Sequence, residues 1–146
     1  PEMGVVSSKG IVGIVKEVSP NFSTVISVLH QKFHLSAKLK RQGYFGSLVW
    51  DGNDYKVGVL RDIPSHVNFS EGDTVVTSGY SSIFPEGLTV GYLLDANKNP
   101  GEVFYSARVK FSDDLKRLSN VYIINNIFKE EQQNIESKTN NQINGK

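Results

Sequence analysis

The chain has 146 residues, a net charge of +1, 38% hydrophobic and 21% charged residues, and no cysteine. Its length suits one domain or two small ones sharing a boundary, and the hydrophobic share supports a folded core. The near-neutral charge provides no field for nucleic acid or an anionic membrane, the missing cysteine excludes disulfides, thiolate zinc sites and cysteine nucleophiles, and no apolar run approaches the roughly 18 residues of a membrane helix.

The chain opens at Pro1, partway into a β pattern, and reads as a fragment of something longer. Val5-Val6 and Ile11 to Val18 are the first expected strands. Pro20-Asn21 turns the chain, and Thr24 to Leu29 reads as a buried strand. From Phe33 to Leu39 the pattern alternates, with Phe33, Leu35, Ala37 and Leu39 on one side and His34, Ser36 and Lys38 on the other. That period of two is a half-exposed strand. Tyr44 to Trp50 is another, and Asp51-Gly52-Asn53-Asp54 is a hairpin turn into Tyr55 to Leu60. Asp62 to Ser70 is a polar connection.

Gly72 to Gly91, GDTVVTSGYSSIFPEGLTVG, is the stretch around which the rest is organised. Gly72-Asp73 makes a turn, Thr74 to Thr77 a strand, Tyr80 to Pro85 a loop, Glu86-Gly87 a second turn, and Leu88 to Leu94 a strand interrupted by Gly91. An interior strand glycine marks a bulge, a barrel corner or a close backbone approach. The same unit occurs near the start: Glu2 to Ser8 followed by Gly10 to Val15 parallels Glu71 to Ser78 followed by Gly87 to Leu93. Two such copies suggest two related small barrels. Asp95 to Gly101 is a loop, and Val103, Tyr105, Ala107, Val109 and Phe111 alternate inward. Ser112 caps one short expected helix, with Asp113 and Asp114 at its positive end, Leu115 and Leu118 on one face, and Asn120 as its stop. Val121 to Phe128 is the last expected strand, and residues 129–146 form a polar tail with too little apolar surface to order itself.

His30 and His34 stand four apart, a zinc spacing on a helix, but on the alternating strand they read as surface histidines. His66, Asp73 and Ser78 invite a serine-hydrolase reading; Thr74 and Val75 stand where a nucleophile and its backbone donors would follow Gly-Asp, so Asp73 is expected to close a turn instead. No phosphate loop and no basic stripe with interleaved aromatics appears. The residues themselves assign no catalytic, cofactor or metal position. What remains is aromatic: Tyr44, Phe45, Trp50, Tyr55, Tyr80 and Phe84 cluster in the middle segment. They serve either as barrel core or as a protein-binding face, for which Tyr44, Phe45, Trp50, Tyr80 and Phe84 are the candidates.

GDTVVTSG followed by FPEGLTVG resembles the MreC family of rod shape-determining proteins, whose periplasmic region carries GD-x-V-x-T-S-G, a short loop, and F-P-x-G-hydrophobic-x-V-G. The upstream GVVSSKGIVGIVKEV is similar to the family's first segment, and the resemblance runs over residues 4 to 128. It marks Gly72, Asp73, Thr77, Ser78, Gly79, Phe84, Pro85, Gly87 and Gly91 as the motif, with structural roles. It implies an all-β fold of two small six-stranded-type barrels packed together, trypsin-like in outline without catalysis, and one short helix. The first barrel would comprise residues 1–35 and 104–128, with its opening strands upstream of the fragment, the second residues 36–103, and residues 129–146 a flexible tail. It further implies a non-enzymatic scaffold of cell-wall elongation on the periplasmic side of the inner membrane, anchored by an upstream helix. Implied partners are a class B penicillin-binding protein and the MreD and MreB machinery, with self-association allowed and neither cofactor nor nucleic acid. The rival readings are a two-barrel serine hydrolase and a small-barrel RNA-binding module.

Overall fold

β1 (Gly4–Val6), β2 (Ile11–Val18) and β3 (Ser23–Ser27) are successive antiparallel neighbours, and β10 (Tyr122–Ile124) returns to pair with β1. β4 (Leu35–Leu39), β5 (Phe45–Val49), β6 (Val57–Pro64), β7 (Thr74–Thr77), β8 (Thr89–Asn97) and β9 (Phe104–Phe111) close a barrel in the order β4-β5-β6-β9-β8-β7. The computed structural model describes residues 2–126 and 128–145, so Pro1, Ile127 and Lys146 lie outside the described residues. No described helix is long and apolar enough to cross a membrane.

The all-β expectation holds, and one of the two expected barrels is closed. The other is an open four-stranded sheet among the described residues. The strand Phe104–Phe111, expected in that first unit, is instead a wall of the closed barrel between β6 and β8. Its alternation explains the placement: Tyr105, Ala107, Val109 and Phe111 are all buried in the main core, and without β9 neither β6 nor β8 would have a neighbour on that side. Val103 does not share that face; it precedes the strand and is exposed.

The main core joins the two units. Leu35, Leu39, Leu48, Leu60, Val75, Leu93 and Val109 fill the barrel, while Ile11, Val28 and Phe84 extend the same cluster to the sheet. A small satellite of Val5, Val12 and Val15 lies under Leu115 and Leu118.

The internal repeat is real in geometry. Val5 lies opposite Gly13 and Val75 opposite Gly91, and each pair is followed at the next residue by a register shift. Such a bulge bends the strand and raises its twist. At each strand end a hydroxyl receives the N–H of the returning strand: Leu88 N–H donates to Thr77 Oγ1 over 2.9 Å, Gly10 N–H to Ser7 Oγ over 3.3 Å. The copies differ in what joins the strands, a tight turn in the first and the long motif loop in the second.

Several local expectations are corrected. Residues after Ser112 form a turn, in which Arg117 N–H donates to the Asp114 carbonyl over 3.0 Å, and not a helix. Leu115 and Leu118 are drawn to the satellite core, which a single turn already covers. Among the described residues the α-helix is α1 (Lys129–Asn144), in the tail expected to lack order. It buries no residue. Glu, Gln and Lys have high intrinsic helix propensity, and Glu130 and Glu131 suit its N-terminal end, a local contribution that an argument from apolar burial omits. Lys129 Nζ donates to the Glu2 carbonyl and Gln133 to Ser82 Oγ, tying its first turns to the body. β3 is an exposed edge strand and not a buried one. β6 runs on to Pro64 through a bulge at Arg61-Asp62, where Asp62 takes φ 65°, a conformation Asp tolerates better than most residues.

Candidate functional site

The β7–β8 hairpin shows what the motif residues do. Gly72, Gly79 and Gly87 have φ of +87°, +81° and +93°, the left-handed region that costs glycine least. Thr77 is 1% exposed; its Oγ1 donates to the Pro85 carbonyl over 2.6 Å, and its own carbonyl accepts the Gly87 N–H over 3.0 Å. One residue, through its hydroxyl and its carbonyl, thus ties the start of the loop to its end. Ser78 Oγ lies 2.7 Å from Ser36 Oγ on β4 and accepts the Tyr80 N–H over 3.2 Å, fastening the loop's first residues to the barrel wall. Between these fixings the loop turns Phe84 inward until it is 1% exposed, with its ring against Gly4 of β1.

Asp73 closes its turn by accepting the Ser70 N–H over 2.8 Å, with Arg41 Nη2 at 3.2 Å and Gln42 Nε2 at 3.3 Å from the same oxygen. Partial burial works against its charge, but the Ser70 amide, the Gln42 amide and the Arg41 guanidinium outweigh it and hold the carboxyl below its usual range. A carboxyl depressed in the folded state stabilises the fold above its unfolded value, about 4, and that contribution is lost as pH falls through the lower folded value. Denaturant melts at pH 7 and pH 3 are therefore expected to show a smaller loss for Asp73→Asn than for the parent chain. Equal losses would remove Asp73 from the acid sensitivity.

The aromatic candidates separate into three groups. Phe45 and Tyr80 are 41% and 66% exposed and stack edge to face, 4.7 Å between centroids, where the motif loop meets β5. Lys38, the cross-strand neighbour of Phe45, pairs with Glu86 from the far end of the loop. Tyr44 is exposed in a second edge-on pair with His66, 5.3 Å between centroids, its hydroxyl 3.2 Å from Nε2. Trp50 is half buried against the core and donates Nε1–H to the Asp54 carbonyl over 2.9 Å. Phe84 leaves the candidate set: a ring this buried cannot touch a partner, because the loop that carries it closes over it. Outward alternation on β4 placed Lys38 on the surface, but no sequence signal links it to Glu86.

The other candidates stay apart. His66 bonds Tyr44, Asp73 holds its turn and Ser78 holds Ser36, so these three are not joined to one another by hydrogen bonds. His30 and His34 are exposed, with His30 Nδ1 accepting the Lys32 N–H, and among the described residues no three metal-ligating side chains converge.

The family model described as rod shape-determining protein MreC, barrel core, matches residues 1–125. A cell shape-determining protein MreC of Listeria monocytogenes is 27% identical over 127 residues, covering 85% of this chain and 43% of its own length. The chain spans under half the length of the curated relatives it matches. The crystal structure of MreC from Pseudomonas aeruginosa superposes with a TM-score of 0.79 at 24% identity, over 85% of this chain and 79% of that one. The MreC of Helicobacter pylori, solved in complex with the penicillin-binding protein PBP2, superposes with a TM-score of 0.67 at 23% identity, over 83% and 75%.

Proposed function

The chain belongs to the MreC family of rod shape-determining proteins, and on that premise we propose that it is a non-enzymatic scaffold of bacterial cell-wall elongation. The family determines cell shape and is structural. In this reading the protein stands on the periplasmic side of the inner membrane and links the MreB and MreD machinery to a class B penicillin-binding protein. The relative solved with PBP2 supports the choice of partner.

The observation that carries the reading on this chain is the Phe45–Tyr80 pair. Two large rings are left half in water on a closed barrel, beside a loop fixed at both ends. Aromatic anchors on a rigid support lose little conformational entropy on binding, and residues of this type dominate interface energetics. Tyr44 with its His66 partner adds a second contact in the proposal.

The test is affinity for the non-catalytic region of the transpeptidase. Phe45→Ala and Tyr80→Ala are each expected to weaken binding by about 2 kcal/mol, roughly thirtyfold, with melting temperature nearly unchanged. Phe22→Ala, an exposed ring beside β3, serves as the control and should bind like the parent chain. Parent-like binding by both test variants would move the interface elsewhere.

A further inference from the structure

The tight turn of the first hairpin borders a polar recess of about 200 Å³, whose lining includes none of the aromatic candidates. Ser7 and Asp113 line it, together with Lys9 from the turn and Arg117, Ser119 and Asn120 from the segment after β9. The single acidic group is already committed: Asp113 Oδ2 accepts the Ser7 hydroxyl, and Oδ1 accepts the Asp114 N–H over 2.8 Å. Ser7 in turn accepts the Lys9 and Gly10 N–H groups, at 3.2 and 3.3 Å, so the turn that carries Lys9 is held in place. The cations are not committed. Among the described residues, neither Lys9 nor Arg117 pairs with a carboxylate, although Lys38, Arg41, Arg108 and Lys129 each do.

We infer that this recess binds a small oxyanion, a carboxylate or a phosphate, between Lys9 and Arg117. Two cations from segments far apart in sequence converge on one concavity, and the carboxylate that could have neutralised them is turned to Ser7. An anion entering there meets a net positive charge, with hydroxyl and amide donors supplied by Ser119 and Asn120. Arg offers a planar fork to such a group and Lys a point charge, a pairing suited to either oxyanion. The two sources this chemistry admits are a phosphoryl group and the free carboxylate end of a peptide.

The test is an NMR titration of the chain with inorganic phosphate in one arm and Ala-Ala-Ala in the other, the C-terminal amide of that peptide serving as its control. Saturable shifts confined to the amides of Ser7–Gly10 and Arg117–Asn120 are expected in at least one arm, and that arm identifies the source. Lys9→Gln and Arg117→Gln should each weaken binding about tenfold, the equivalent of one charge-assisted hydrogen bond. Lys16→Gln, an exposed cation of β2 outside the recess, should leave it unchanged. Shifts that stay linear with concentration in both arms, an amide that binds as well as the free acid with phosphate inert, or equal weakening by Lys16→Gln would each overturn the site.

Discussion

Phe84→Ala is expected to cost about 3–5 kcal/mol of stability, the range for truncating a buried ring, and to lower the melting temperature by more than about 10 °C. Phe84 comes from the motif loop of the barrel yet packs on Gly4 of the open sheet, so its loss opens a cavity where the two units meet. Refilling that cavity is difficult. Gly4, which lies so close that a Cβ built on it would stand 2.7 Å from Phe84 Cδ1, has no side chain to move into the space the ring leaves. Phe45→Ala and Tyr80→Ala remove half-exposed rings of similar size and should cost no more than about 1 kcal/mol. A Phe84→Ala protein that melts with those two would show that the loop does not bury its ring.

Gly91→Val is expected to be nearly as damaging, by about 2–4 kcal/mol, against little change for Thr89→Val. Gly91 needs no unusual φ; its role is close approach. A Cβ there would enter the carbonyl group of Lys110, 2.9 Å from its carbon, and stand 2.9 Å from Val109 Cγ1. β9 cannot yield, because it is held on its other edge by β6 within a closed barrel. Gly13 occupies the matching place in the first hairpin, where a Cβ would meet the Ile26 carbonyl of β3. That strand is a free edge and can move aside. Gly13→Val should therefore cost less than Gly91→Val, and denaturant melts of the two measure the difference. The reverse order would mean that barrel closure does not stiffen β9.

The same contrast explains how much was legible beforehand. Period-two alternation located β4 and β9, because each buries one face and exposes the other. The glycines of the motif marked turns and a close approach, and the Glu2 to Val15 echo of Glu71 to Leu93 marked the duplicated bulged hairpin. Exposure of the aromatics was not legible. Phe45 and Phe84 are the same residue type in the same segment, and only the two-ended closure of the loop through Thr77 sends Phe84 inward. The error at Ser112 to Asn120 has the same origin: its caps were favourable, but the satellite core draws on just Leu115 and Leu118, which a turn provides.

From the sequence alone follow the all-β class, the repeat, the turn glycines and membership of a motif family, since these rest on local backbone preference and on residues near in the chain. Tertiary structure alone decided that β9 closes the barrel, that Lys38 meets Glu86, that Ser7 holds Asp113 and leaves Lys9 and Arg117 unpaired, and which aromatic rings reach solvent. Each of these joins residues tens of positions apart. Their proximity is set by barrel closure and packing, which no local pattern encodes.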